Sequence, residues 1–173
     1  MISIIVAADQ NGAIGAKNRV PWRLRDDLVR LKGLVLGHTV ILGRKTYDSM
    51  AGYYDISGRP MPGQTYIIVS RSDYQPSRDN TRVAHSIDEA LSIAKELGDE
   101  AIFVNGGGEI YKAMLPLADR VYLSQVQTKV DEDDVDAVFP VLDPSEWSET
   151  SREHHEQDDR NEFDYDVVIY DRR

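Results

Sequence analysis

Cysteine is absent from the 173 residues. That excludes disulfides, thiolate nucleophiles and thiolate metal sites, and it fits a reducing compartment. No apolar run approaches the length of a membrane span. The apolar run from Ile2 to Ala8 has no basic region before it and meets Asp9 too early for a signal peptide, so a cytoplasmic protein is expected. Net positive charge is lacking too: the formal charge is −10 and the pI about 4.8. Such a surface repels nucleic acid and anionic membranes, and neither is expected as a partner. Aspartate outnumbers glutamate about two to one and lysine is scarce beside arginine, a balance that suits a salt-rich setting as well as an ordinary acidic protein. There is no Walker lysine loop, no Gly-x-Ser-x-Gly and no His-x-x-x-His. His38, His85, His154 and His155 lack metal spacing, and Asp131, Asp133 and Asp136 lack the glycine and closing glutamate of a calcium loop. No metal is expected.

An apolar fraction of 41% over this length suffices for one domain with a sizeable core. Continuous apolar runs at Ile2–Ala8, Thr39–Gly43, Thr65–Ser70 and Ala101–Val104 read as strands buried on both faces. Helical spacing over 25–35, a short helix from Arg44 to near Met50, and a capped helix after Ser86 alternate with them. A further helix follows Gly106-Gly107-Gly108 and ends at Pro116. Residues 9–23 and 51–63 read as loops, as do the polar stretch 71–80 and the acidic stretch 131–136. Arg120–Val126 is a strand, and 147–153 with the alternating Phe163, Tyr165, Val167 and Ile169 forms a terminal hairpin. The prediction is a single α/β domain: a central, mostly parallel twisted sheet of about eight strands, an antiparallel C-terminal hairpin and about four flanking helices.

The stretch Pro21-Trp22-Arg23-Leu24-Arg25-Asp26-Asp27-Leu28 organises the chemistry. At about 100° per residue, Asp27 falls in the apolar arc with Leu28, Leu31 and Leu34. Asp26 falls opposite, four residues before Arg30, where an exposed ion pair is ordinary. Acids also favour the first turn of any helix. A carboxylate without a partner in an apolar wall is costly to ionise, so Asp27 is read as waiting for a ligand with hydrogen-bond donors.

Three strand ends suit anions. Gly106-Gly107-Gly108 lets a phosphate approach the backbone at a helix start, although Tyr111 stands where a Rossmann fingerprint has its third glycine. Gly43-Arg44-Lys45-Thr46 offers two cations and a hydroxyl at another strand–helix junction, and Ser70-Arg71 ends a third strand. Together they point to a ligand with several phosphates at one edge of the sheet.

These residues, taken in order, resemble a bacterial dihydrofolate reductase along nearly the whole chain. The matching pieces are Ile5-Val6-Ala7, Ile14-Gly15, Asn18, Pro21-Trp22 with Asp27, Gly43-Arg44-Lys45-Thr46, Arg59-Pro60-Met61-Pro62-Gly63, Ser70-Arg71, Gly106-Gly107-Gly108 with Tyr111, and Phe139-Pro140. The resemblance implies NADPH-dependent reduction of 7,8-dihydrofolate to tetrahydrofolate by a monomer whose partners are small molecules. It implies that Asp27 holds the pterin, Trp22 positions a water, and Ser124 supports Asp27 from the facing strand. Ile5, Val6, Leu28, Leu31, Met50, Arg59, Gln64, Asn105 and Tyr111 would line the substrate site. Ala7, Ile14, Gly15 and Asn18 would hold the nicotinamide end, with residues 9–23 as a lid. Gly43, Arg44, Lys45, Thr46 and the glycine turn with Glu109, Ile110 and Tyr111 would take the pyrophosphate, and Ser70, Arg71 and His85 the 2′-phosphate.

The chain departs from the family pattern at Gln64, where an arginine usually grips the folate α-carboxylate; at Asn105, usually aliphatic; and at Val135, usually glycine. Residues 51–57 look like an insertion beside the substrate entrance. Gln64 and Asn105 leave room for a sister reductase acting on another pterin or a ribosylaminopyrimidine. A non-catalytic nucleotide-binding module would not need an acid at position 27.

Overall fold

The structure is a computed structural model describing residues 1–173. In chain order its strands and helices are β1 (Ile2–Ala8), β2 (Ala13–Ala16), α1 (Arg25–Val35), β3 (Thr39–Gly43), α2 (Arg44–Ser57), β4 (Thr65–Val69), β5 (Thr81–Ala84), α3 (Ile87–Leu97), β6 (Ile102–Val104), α4 (Gly108–Met114), β7 (Arg120–Val126), β8 (Val135–Val138), β9 (Trp147–His155) and β10 (Tyr165–Arg172). Eight strands form one sheet in the order β5-β4-β3-β6-β1-β7-β10-β9. The first six are mutually parallel, and β10 runs antiparallel to both β7 and β9. This is the expected architecture.

Strand periodicity divides the core. Along β1, Ile4, Val6 and Ala8 enter the cluster that includes Ala90 and Ala94 of α3 and Met114 of α4, while Ile5 enters the cluster on the other face. Ile41 and Ile67 join the first cluster; Val40, Leu42, Tyr66 and Ile68 join the second, beneath α1 and α2. Side chains that alternate sides in this way need an apolar residue at every position of a sheet covered on both faces.

Three expectations need correction. First, α2 does not stop near Met50 but continues to Ser57, so 51–57 is helix rather than loop. Tyr47, Ala51 and Tyr54 are buried at helical spacing, and Gly58 ends the helix in the left-handed region with φ +66°. Second, β2 and β8 lie in stretches read as loops: β2, within 9–23, pairs with β8, whose first residues close the acidic stretch, and β5 forms just after 71–80, where no element was expected. All three are four residues long and lack the unbroken run of large apolar residues that marks the still shorter β6. Third, Asp26 does not pair with Arg30. It accepts bonds from Arg160 Nε at 2.7 Å and Asn161 Nδ2 at 2.9 Å, both on the β9–β10 connection.

That connection clasps the chain around the start of α1. The Arg25 N–H donates to Arg160 O, the Glu162 N–H to Arg23 O, and the Asp26 N–H to Asn161 Oδ1. Behind it Trp22 and Leu24 pack with Val126, Tyr165 and Val167. The Asn161 hydrogen bond, then the Arg160 guanidinium, hold the Asp26 carboxyl below its ordinary value near 3.8. Because the folded value is depressed, the contribution of Asp26 is present above that value and is lost as pH falls through the folded one.

Asn161 is 2% exposed. Replacing it with alanine should cost about 1–3 kcal/mol, the penalty for buried polar groups left unpaired. Denaturant melts at neutral pH should show the loss, and a wild-type midpoint in Asn161→Ala would refute the clasp.

Candidate active site

Asp27 occupies the first turn of α1 and is 8% exposed. The helix lays Leu31, Leu34 and Val35 on the core beside Ile5 and Phe103, and the same arc carries Asp27 inward. From the sheet, fully buried Ser124 of β7 points its hydroxyl at the carboxylate: Ser124 Oγ donates to Asp27 Oδ1 at 2.6 Å. Ser124 pairs with Ala7 of β1 on one side and with Val167 of β10 on the other, so the sheet register fixes its position. Burial, followed by the nearby Asp27 and Asp26 charges, pushes the Tyr165 hydroxyl up to about 12.

Asp27 is not unpartnered. Arg30, one turn along α1, donates from Nη2 at 2.9 Å and Nε at 3.2 Å to the same Oδ1, and from Nη2 to Ser124 Oγ at 3.0 Å. The i,i+3 spacing that permits this contact was visible in the sequence; assigning Arg30 to Asp26 obscured it. Oδ2 makes no hydrogen bond within the chain. Trp22, 9% exposed, precedes the helix and packs in the cluster beneath it.

Two of the predicted phosphate junctions abut. The Gly43 N–H donates to Gly106 O at 2.7 Å. A Cβ on Gly43 would meet Ile110 Cγ1 at 3.3 Å, and one on Gly107 would meet Thr46 Oγ1 at 3.3 Å. Gly106 has φ +96°, and its peptide bond to Gly107 is cis. The glycines therefore let two strand–helix turns approach closely, with the free amides of the α2 start beside them. Tyr111 lies beneath and donates from its hydroxyl to Ile5 O at 2.7 Å. Burial raises its pKa. Val6 is buried next to Ile5, while Asn105, leading out of β6, is half-buried and anchored by its N–H to Ile41 O.

The cations line this edge. Arg44 is exposed and held by Ser72 Oγ at 3.3 Å, by Asp48 at 3.8 Å and by the Tyr74 ring at 5.1 Å. Burial, then the hydrogen bond to Asp48, pushes the Tyr74 hydroxyl to about 12. Tyr74 and Asp48 were not legible as support for Arg44, because they meet only once the loop after β4 folds over α2. Lys45 is exposed. Arg71 is exposed and reaches Glu109 at 3.3 Å. The Ser70 hydroxyl donates to Ser72 O, and the His85 ring sits 2.9 Å from Ser70 O. Residues 70, 71 and 85 therefore lie together at the ends of β4 and β5, with Arg71 turned to Glu109.

Residues 9–23, expected as a lid, are tied to β8 and the turn before it. The Asn18 N–H donates to Asp136 Oδ2 at 2.6 Å, Lys17 pairs with Asp134 at 3.2 Å, and a Cβ on Gly15 would meet Asp136 Oδ1 at 2.8 Å. Ile14 reaches the glycine turn, with its Cδ1 3.9 Å from a Cβ placed on Gly108. An open groove of about 530 Å³ between α4 and β8, lined by Gly108, Glu109, Asp136 and Pro140 among others, touches that turn and not Asp27.

Along α1, Leu28 is 47% exposed and Leu31 half-buried, and on α2 Met50 is half-buried. Arg59 and Gln64 are exposed. The sequence reading missed Lys32, whose Nζ lies 5.8 Å from the Tyr53 ring centre and 5.4 Å from that of Tyr54. The extension of α2 creates this contact.

The family model for dihydrofolate reductase matches residues 1–172. The dihydrofolate reductase of Bacillus subtilis is 35% identical over all 173 residues, covering 95% of that protein. The type 3 dihydrofolate reductase of Salmonella typhimurium is also 35% identical, over the whole chain and 99% of its own length. A solved Enterococcus faecalis dihydrofolate reductase, complexed with NADP(H) and RAB-propyl, superposes with a TM-score of 0.81 at 29% identity over 99% of this chain and 96% of that one. The chain belongs to the dihydrofolate reductase family.

Proposed function

We infer that this chain reduces 7,8-dihydrofolate to 5,6,7,8-tetrahydrofolate with NADPH. The observation that carries the reading is Asp27 itself: a buried carboxylate on α1 with one oxygen fixed by Ser124 and Arg30 and the other open, packed on the sheet that also carries a glycine-lined anion cradle. An open carboxylate oxygen accepts ring N–H and amino donors of a pterin through charge-assisted bonds. The cradle fits a dinucleotide, because a Cβ at Gly43 or Gly107 would crowd its neighbours at 3.3 Å while Arg44 and Lys45 stand exposed beside it.

NADPH, when bound, supplies the hydride that reaches C6 of the pterin while N5 gains a proton from water. The residues of the chain do the rest. Asp27 orients the ring and favours its protonated form, and Trp22 positions the water. Ile5, Leu28, Leu31, Met50 and Tyr111 enclose the ring and benzoyl portions, with Asn105 offering its carbonyl; the Val6 side chain faces the other side of the sheet, so only its backbone adjoins them. Ala7, Ile14, Gly15 and Asn18 hold the nicotinamide end and exclude solvent. Gly43, Arg44, Lys45, Thr46 and residues 106–111 receive the pyrophosphate, and Ser70, Arg71 and His85 receive the 2′-phosphate. The protein acts as a cytoplasmic monomer. In support, the edge strand β9 exposes Glu149, Arg152, Glu153 and His154, charges that discourage edge-to-edge pairing.

Asp27→Asn should slow hydride transfer at neutral pH by roughly 10²-fold or more, with partial recovery in acid, where solvent protonates the substrate. Stopped-flow turnover near the wild-type rate at neutral pH would overturn the role of Asp27. Arg71→Ala should weaken NADPH about ten- to a hundredfold, the worth of one charge-assisted contact, and leave NADH nearly unchanged. Equal losses for both in fluorescence titrations would place Arg71 away from the 2′-phosphate. Gln64→Arg should lower KM for dihydrofolate about tenfold, since a bidentate charged pair replaces a neutral amide. kcat should hardly move, because the tail is bound alike in ground and transition states. An unchanged KM at low salt would mean either that another cation already holds the tail or that the substrate has none.

A further inference from the structure

Asp9, where the segment 9–23 leaves β1, is a buried carboxylate that the proposed reaction does not use; it is 5% exposed. Its Oδ1 accepts from the Asn11 and Ala13 N–H groups, each at 2.8 Å, and its Oδ2 accepts from the Val130 N–H at 2.8 Å. The first two bonds close the turn between β1 and β2. The third crosses to the connection between β7 and β8, 121 residues along the chain. In the same corner the Asp9 N–H donates to Ala13 O at 2.9 Å and the Gln10 N–H to Thr128 O at 3.1 Å. Apolar packing is thin there: an open hollow of about 260 Å³, lined by Asp9, Ala13, Val130 and Val135 among others, runs beside the turn. Hydrogen bonds converging on one carboxylate therefore set the course of the segment away from the sheet.

We propose that Asp9 is a positioning residue for the nicotinamide end of the cofactor: its carboxylate ties the root of segment 9–23 to the β7–β8 connection and so sets where Ile14, Gly15 and Asn18 stand. The proposal rests on the reading of those three residues as nicotinamide contacts. Asp9 touches no reacting atom and acts through the backbone it holds.

The Ala13 N–H bonded to Asp9 lies one residue before Ile14, whose Cδ1 is 3.9 Å from a Cβ placed on Gly108. Farther out, Asp136 holds the segment at the Asn18 N–H. Without the anchor at the root, residues 10–17 keep the short β2–β8 pairing and the Lys17–Asp134 contact. A carboxylate serves all three donors because both of its oxygens accept. An asparagine amide has one accepting oxygen and one NH2 group. If the oxygen stays on Asn11 and Ala13, the NH2 faces the Val130 N–H; if the amide flips, the NH2 faces the other two. Either way donor meets donor and a link is lost. A charge-assisted bond is worth about ten- to a hundredfold in an equilibrium. Its loss lets the segment populate other placements, and only the part of a ligand that meets the segment feels the change.

The test compares two ligands, NADPH and 2′-phospho-ADP-ribose. They share the adenosine, the 2′-phosphate and the pyrophosphate, and only NADPH carries the nicotinamide. Both affinities are measured by calorimetry on the full chain. Asp9→Asn should lower the NADPH-to-fragment affinity ratio by about tenfold and leave the affinity for the fragment near wild type. Asp9→Ser, with one oxygen for the local amides and none for Val130, should lower the ratio likewise. The ratio does not depend on the fraction of folded protein, so a destabilised variant still reports. A wild-type ratio in both variants, whether the two affinities hold or fall together, overturns the proposal. If the wild type binds NADPH no tighter than the fragment, the nicotinamide reading of the segment fails and the proposal fails with it. If the wild type prefers NADPH and both variants keep that preference, only the role of Asp9 is lost.

Discussion

The site depends on keeping one carboxylate charged inside an apolar seam. Asp27 lies where α1 crosses the sheet, among side chains that cannot solvate it. An uncompensated buried charge of this kind costs about 3–5 kcal/mol when a partner is removed. Two neighbours supply that compensation: Ser124, placed by the β1–β7–β10 register, and Arg30, placed by one helical turn. The start of α1 must also stay in place, and the hairpin connection secures it through Asp26, Arg160 and Asn161. Two adjacent aspartates thus have separate duties. Asp26 anchors the helix to the hairpin, and Asp27 keeps one oxygen open for the proposed ligand.

The cofactor edge solves a different problem, because a chain of net charge −10 repels anions at long range. Local geometry offsets the global field. Glycines let backbone amides of adjoining strand–helix turns approach one another, and Arg44 is held in place by Tyr74, Asp48 and Ser72. Next to this edge the segment 9–23 is strapped to β8 through Asp136, so Val135, which replaces the family's usual glycine, sits inside a paired strand and does not disturb that contact.

Much of this could be read from the sequence. Strands buried on both faces announce themselves as unbroken apolar runs, and the inward turn of Asp27 follows from helical geometry. The Ser70–Arg71–His85 grouping and the adjoining glycine turns followed from family likeness and strand ends. Strands β2, β5 and β8 were invisible because they lack the unbroken run of large apolar residues that marks the still shorter β6. The 51–57 extension was misread because Gly52 and two tyrosines look like loop chemistry, whereas burial of Ala51 and Tyr54 keeps the helix going. Contacts joining distant segments, such as Asn161 with Asp26 or Tyr74 with Arg44, leave no local trace. The error over Arg30 was of another kind: both helical partners were in view, and the choice between Asp26 and Asp27 was settled by the hairpin, which occupies Asp26.

The extended α2 also gives Lys32 a place, lying over the Tyr53 and Tyr54 rings. What defines the protein is chemistry rather than affinity, and one spectrophotometric measurement tests it: NADPH oxidation by the purified chain with and without dihydrofolate. NADPH should be consumed only when dihydrofolate is present, with tetrahydrofolate formed in equal amount. NADPH that binds but is not oxidised by dihydrofolate would contradict it.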